Sequence, residues 1–341
     1  MQEPTPFTPF DAEGGLVLAT RLPGEPGDFD DGQRDWHQLV FPEAEPPLWV
    51  HLDRMKERAQ AWLRAEKGAG AGVEPIVAES LLAEETRPRV QMIGGGVLVI
   101  LRGINANPGA QPDELIAIRM WLEPTKIITL RQHRFRTIAR LRARAQQGTA
   151  PTTAGGFLAT VAMGLSMNMT PTIQNLEERL DVIEEGMLDG ETDDDQRRSQ
   201  LATIRRQAIA YRRYIVPQRE ALSALVHGGP DFLSQRDQAE LRVAMEQTMR
   251  IAEALEELRD RAAVTQEEMR ARHEARMGRT VYLLTLVATV ALPLGLITGL
   301  LGVNVGGIPL AESGWGFAMV CLVMVVIAGG LLALFRYMKW L

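Results

Sequence analysis

Cysteine is almost missing from this chain: Cys321 is the only one, so no disulfide or thiolate metal cluster can form within a single copy. Histidine is sparse as well. His37, His51, His133, His227 and His273 are scattered, with no pair at a metal-binding helical spacing, which argues against structural zinc of the finger type. Basic charge is in deficit, with a formal net charge of −6 and no basic patch interleaved with aromatics, so nucleic acid is not an expected partner. There is no nucleotide-binding loop, catalytic triad or acid pair, so neither an enzyme nor a bound cofactor is expected. The most informative absence is local. Residues 281–301 and 315–335 contain no Asp, Glu, Lys, Arg or His.

Both uncharged runs are apolar and about as long as a membrane is thick. Roughly 20 residues at about 1.5 Å rise each cover a hydrocarbon core of about 30 Å. One ionised side chain at the bilayer centre would cost about 2.5–3.5 kcal/mol on insertion scales. The polar N-terminal stretch has no signal-peptide pattern, so these runs are read as two spans. Arg272, Arg276 and Arg279 precede the first, and Arg336 and Lys339 follow the second. The connection between them has Glu312 as its only charge. The positive-inside rule therefore predicts cytoplasmic N- and C-termini. Tyr282, Trp315, Tyr337 and Trp340 stand near the span ends, where amphipathic rings favour the headgroup region.

The preceding residues read in two parts. In 15–145 a mixed α/β pattern is expected, with strands at 15–20, 47–53, 90–102, 114–122 and 126–131. A helix is expected over 54–67, with Met55, Ala59, Trp62 and Leu63 on one side. Beyond Phe135 strand signals vanish. A basic helix over 136–147 is followed by two long helices, 153–188 and 194–226, whose short connection pairs them as an antiparallel hairpin. From 232 to 302 the only proline is Pro293, and one helix of roughly 70 residues is expected. Leu241, Met245, Ala252, Leu255, Ala262 and Met269 form a seam with a seven-residue-like repeat along it; a dimeric coiled coil is the alternative use of that seam.

The fold class is thus an α+β membrane protein. Its expected parts are an N-terminal α/β cytoplasmic domain (1–150), a cytoplasmic helical hairpin (151–230) and a stalk helix (231–280). A first transmembrane helix (281–303), an outer loop (304–314), a second transmembrane helix (315–335) and a cytoplasmic tail (336–341) complete it. On a helical projection Ala288, Ala291, Gly295, Gly299 and Gly302 share one face about 80° wide, with Thr298 close by. Small residues there suit either close packing of neighbouring helices or a narrow lumen. Two spans per chain cannot enclose a pore, so several copies are implied.

Gly302-Val303-Asn304 closes the first span. Asn304 offers an amide oxygen, and the glycines at 302, 306 and 307 allow turns that expose backbone carbonyls. Such oxygens accept hydrogen bonds from the tightly held water shell of a divalent cation. A ring of Asn304 at a pore mouth, helped by a ring of Glu312, would select hydrated cations. The stretch YLLTLVATVALPLGLITGLLGVNVGGIP, residues 282–309, resembles the first span and signature loop of the CorA superfamily of two-span metal ion transporters. Gly302, Val303 and Asn304 match its Gly-X-Asn motif. Val303 at the middle position and the following Val305-Gly306-Gly307-Ile308-Pro309 are similar to the ZntB zinc-transporter branch.

That resemblance implies a funnel-shaped homopentamer in the cell inner membrane, its pore lined by the first span and Asn304 at the outer entrance. It implies Zn2+ as the transported ion, by efflux or by proton-coupled uptake, with Co2+, Ni2+, Cd2+ and Mg2+ as further divalent candidates. Magnesium-type relatives often carry Asn and Thr where this chain has Gly278 and Gly295, so polar positions along the lumen would fall to Thr285, Thr298 or backbone carbonyls. Neither span holds a titratable group, so the usual intramembrane proton carrier is missing. Ten acidic residues between Glu177 and Asp195, with Asp181, Glu184, Glu185 and Leu188 on one helical face, either concentrate divalent cations or form a solvated hairpin tip. His227 and His273 are expected as surface or packing residues in preference to zinc ligands, and His133 in a basic patch with Arg131 and Arg134. The readings left open are a CorA-like Mg2+/Co2+ channel and a membrane-anchored scaffold without transport.

Overall fold

The computed structural model describes residues 15–24, 39–65, 70–84, 86–111, 114–188, 194–302 and 314–338. Two compact units divide the chain, Met1–Gln266 and Glu267–Leu341.

The first unit is built on a six-stranded sheet. Its strands are β1 (Leu16–Arg21), β2 (Leu48–Asp53), β3 (Arg89–Ile93), β4 (Gly96–Ile104), β5 (Leu115–Glu123) and β6 (Lys126–Arg131), in the spatial order β1-β2-β6-β5-β4-β3. Only β2 and β6 run parallel, and a parallel neighbour needs a long crossover. That crossover includes the two short helices α1 (Glu57–Arg64) and α2 (Pro75–Leu82). Strand alternation divides the core between two faces. Val97, Val99 and Leu101 of β4 join Trp49 and Ile127 in one cluster, whereas Leu98 joins Val50, Leu52 and Ile128 in the other. The second cluster is closed by Ala59, Trp62 and Leu63 of α1 and Val77, Ala78 and Leu81 of α2.

Two sequence expectations change here, and one element is new. The single strand over 90–102 is a hairpin, β3 and β4, because Gly94 and Gly95 both take positive φ (52° and 86°). Two left-handed residues in a two-residue loop match the twist of antiparallel strands. The helix expected from Arg54 starts only at Glu57: Asp53 Oδ1 accepts the Met55 N–H at 3.0 Å and turns the chain first. Met55 consequently lies outside the helix and is exposed. The new element is α2, one short apolar stretch entered at Pro75.

The opposite face of the sheet is covered by α3 (Arg136–Gln146) and by the hairpin α4 (Ala154–Leu188) and α5 (Asp194–Gly228). The sixth helix, α6 (Gln235–Leu301), is 67 residues long and opens with a reciprocal cap. Ser234 Oγ accepts the Asp237 N–H at 3.1 Å, and Asp237 Oδ2 accepts the Ser234 N–H at 3.0 Å. Within the first unit the α6 seam is used inside the chain, not between two chains: Leu241, Ala252, Leu255 and Ala262 are buried. Beside that seam, buried Thr248 shares a 2.9 Å hydrogen bond with Ser166 of α4. Arg212 of α5 pairs with Glu256 at 3.2 Å on the flank.

The second unit consists of the rest of α6 and of α7 (Gly316–Tyr337). Both helices are long and apolar enough to cross a membrane. Among the described residues of α7 only Phe335 is buried, and Leu284, Leu292, Leu296 and Leu300 of α6 are each more than 60% exposed. Apolar helices left this bare are not stable in water and require lipid or further copies around them.

Candidate ion pathway

The membrane part of α6 presents its small residues to open space. A Cβ added at Gly278, Gly295 or Gly299 would meet nothing within 4 Å. Ala288 and Ala291 on the same face are exposed. Nothing among the described residues therefore requires these positions to be small.

Two threonines flank that face on opposite sides. Thr285 Oγ1 donates to the Val281 carbonyl at 2.8 Å, and Thr298 Oγ1 donates to the Leu294 and Gly295 carbonyls at 3.1 and 3.0 Å. With its proton committed to the helix, each hydroxyl presents lone pairs outward. Lone pairs accept hydrogen bonds from the water shell of a cation, the polarity a hydrated ion needs. A third hydroxyl, Thr289, follows the same pattern toward the Thr285 carbonyl at 2.8 Å and was not singled out in the sequence. Its signal is the i, i+4 repeat of Thr285 and Thr289. Pro293 lacks an N–H, so the Thr289 carbonyl one turn earlier loses its helical donor and becomes another free acceptor on this stretch.

Gly302 still belongs to the helical hydrogen-bonding pattern, its N–H donating to the Thr298 carbonyl at 2.9 Å. Val303, Asn304 and Glu312 lie outside the described residues.

The acidic hairpin residues have a different role from the pore candidates. Arg261 of α6 binds Asp181 at 2.5 Å and Glu184 at 2.6 Å, and Thr265 donates to Glu184 at 3.0 Å. The cation held by these two carboxylates is thus a guanidinium of the same chain. Burial, and after it the neighbouring Glu257 and Asp181, raise the Glu177 carboxyl above its ordinary value. Residues 189–193 lie outside the described residues, and among the described ones no cluster of three or more His, Cys, Asp or Glu is arranged to hold a metal. His133, His227 and His273 all lie at or near the surface, His227 bonded through Nδ1 to the Ser223 carbonyl at 2.9 Å.

Two apolar helices that follow, in sequence, a mixed sheet and a long helical hairpin are an arrangement that comparison with known proteins can identify. The family model described as CorA-like Mg2+ transporter protein matches residues 45–337. The chain belongs to the CorA family. Over 331 residues it is 34% identical to a protein of Pseudomonas aeruginosa named divalent cation transporter CmaX, covering 96% of this chain and 98% of that one. The structure of full-length CmaX matches with a TM-score of 0.81 at 33% identity, again over 96% and 98% of the two chains. The zinc transport protein ZntB of Pectobacterium carotovorum is 32% identical over 327 residues, 96% of each chain. The CorA magnesium transporter of Methanocaldococcus jannaschii shares the fold, with a TM-score of 0.76 at 18% identity over 96% of this chain and 98% of that one. The resemblance read from the Gly-X-Asn loop thus holds for nearly the whole CorA chain, with CmaX and ZntB proteins both among its relatives.

Proposed function

We propose that this CorA-family chain carries divalent metal cations across a membrane, with Zn2+ the principal ion, as a homopentamer whose pore is lined by the membrane part of α6. The observation that carries the reading is the family match across residues 45–337, which takes in both apolar helices and the Gly302-Val303-Asn304 loop between them. In this reading five Asn304 amides ring the outer entrance and accept hydrogen bonds from the ion's hydration shell. Glu312 raises the local cation concentration. Thr285 and Thr298 supply acceptors farther along, between stretches of small residues that leave room for an ion with its waters. The chain is oriented with both termini in the cytoplasm and sits in the inner membrane. Zn2+ is favoured over Mg2+ because Gly278 and Gly295 put no polar side chain where magnesium-type relatives often have one, and because the ZntB proteins are close to a third identical to this chain.

The test is flux into liposomes containing the purified full-length chain, with Zn2+, Mg2+, Co2+ and Ni2+ in parallel. Zn2+ is expected to move fastest, and Asn304→Ala to reduce its flux by about tenfold or more, the loss of about 1.5 kcal/mol of hydrogen bonding to a charged group. Mg2+ moving as fast as Zn2+ would transfer the assignment to a CorA-like Mg2+/Co2+ channel. No flux of any ion would leave a membrane-anchored scaffold. Residues 281–301 and 315–335 hold no titratable group, so proton coupling, where present, enters through pore water or Glu312. Glu312→Gln with an unchanged response to a pH gradient would remove Glu312 from that route.

A further inference from the structure

The groove between α5 and α6 in the first unit gathers donors of a kind the ion pathway does not use. Arg205 of α5 binds Gln266 of α6 at 3.1 Å, and Arg212 binds Glu256 at 3.2 Å, so the two helices run antiparallel. Continuing that register brings Ser223 opposite Met245. A cavity of about 490 Å3 opens there, lined by Arg219, Glu220, Ser223 and His227 of α5 and by Met245 and Met249 of α6. Met245 and Met249 stand one turn apart on one face of α6, as Ser223 and His227 do on α5. We propose that this groove binds a soft monovalent cation, Cu+, through His227 Nε2 and the thioethers of Met245 and Met249.

The His227 tautomer follows from its hydrogen bond. Nδ1 lies 2.9 Å from the Ser223 carbonyl, an oxygen that can only accept. The ring N–H is therefore on Nδ1, and in the neutral ring Nε2 keeps its lone pair. A backbone carbonyl that fixes the tautomer in this way is the usual support of a metal-binding imidazole. Among the described residues Nε2 has no hydrogen-bond partner. The thioethers set the class of ion. Methionine sulfur is a neutral, polarizable donor that selects Cu+, whereas hard cations such as Mg2+ require oxygen ligands. Among the lining side chains only Glu220 and Ser223 carry oxygen. Arg219 stands next to Glu220, so the fixed charges of the lining offset, a balance that suits one positive charge better than two. Met249 is 37% exposed and Met245 half-buried, so an ion has a way in from solvent.

The experiment is competition for Cu+ between the full-length chain in detergent and the chromogenic chelator bicinchoninate, under ascorbate and without oxygen. All proteins carry Cys321→Ser, because a free thiol is itself a strong Cu+ ligand. The parent is expected to take one Cu+ per chain from the chelator. Met245→Leu and Met249→Leu nearly keep the side-chain volume, and His227→Gln changes an exposed position, so each variant keeps the fold. Each is expected to weaken binding about tenfold or more. Met167→Leu, on an exposed methionine of α4 outside the groove, is expected to bind like the parent. A parent that leaves Cu+ with the chelator would overturn the proposal, and so would groove variants that bind as Met167→Leu does. Zn2+ held as tightly as Cu+, and lost in His227→Gln alone, would also overturn it by making the thioethers bystanders. Metal flux is not the readout, so failure here leaves the transport reading standing, and the reverse.

Discussion

His51 sits in a strand where every other inward residue is apolar, and the consequence is a stability that depends on acid. Its folded pKa, about 3, lies well below the ordinary 6.5. Above pH 6.5 the ring is neutral whether the chain is folded or not, and it contributes no pH dependence. Between 6.5 and about 3 the unfolded chain binds a proton that the folded chain refuses, so stability falls as pH falls through that window. The slope from this one group approaches about 1.4 kcal/mol per pH unit. Urea unfolding of the parent and of His51→Gln from pH 7 to pH 4.5 measures it: the variant is expected to lose stability less steeply with acid. Parallel slopes would mean that the ring is protonated inside the fold.

Arg261 makes the complementary case at the same scale. One guanidinium compensates Asp181 and Glu184, and its pKa is raised by the hydrogen bonds to Glu184 and Asp181. Glu177 and Glu257 lie in the same acidic neighbourhood. Arg261→Gln leaves these carboxylates facing each other. Because the groups are a third to a half exposed, the expected loss is modest, about 1 kcal/mol, and it should shrink in high salt. Thermal unfolding of both proteins at low and high salt checks it.

Among the elements, the attachment of the helical hairpin to the sheet is concentrated at Arg102. The short β3 pairs with β4 only as far as Ile100, which leaves the Arg102 N–H without a strand partner. Gln218 of α5, itself 2% exposed, takes that N–H at 2.7 Å. The Arg102 guanidinium meanwhile reaches the Thr86 and Leu115 carbonyls and lies over the Tyr214 ring at 4.1 Å. Gln218→Leu keeps the volume and removes the acceptor, so a buried N–H is orphaned at a cost of about 1–3 kcal/mol. Denaturant unfolding gives the loss, and faster amide exchange at Arg102 would locate it. None of this contact was legible in the sequence, since it joins residues more than a hundred positions apart. Long elements were legible because periodicity sums over many residues: α4, α5, α6 and the strands β2, β5 and β6 fall where the pattern places them. Short ones were not. Gly94-Gly95 inside an apolar run reads as continuous strand until its φ angles are known, and α2 is too brief to display a period. In the candidate ion pathway the small face and its threonines are written in the sequence by 100° steps.

At the scale of the whole molecule, the exposed apolar helices set the question of what surrounds them. Among the described residues the two apolar helices are largely bare, and a Cβ added at Gly295 or Gly299 meets nothing within 4 Å. Between helices in lipid no hydrophobic force drives association; close contact and hydrogen bonding do. Small residues therefore carry information about what neighbours them, and two arrangements compete. If the face packs against an adjacent copy, a leucine at 295 or 299 holds the helices apart and the assembly dissociates. If it borders the lumen, a leucine leaves the assembly intact and narrows the path of a hydrated ion. Native mass spectrometry and liposome flux on Gly295→Leu and Gly299→Leu separate the two. The parent is expected at five times the 37.7 kDa chain mass. We expect both variants to retain that mass and lose most of their Zn2+ flux, because Thr285 and Thr298, whose lone pairs suit a hydrated cation, flank the same face. Monomeric variants would assign the face to packing instead, and move the pore to another side of α6.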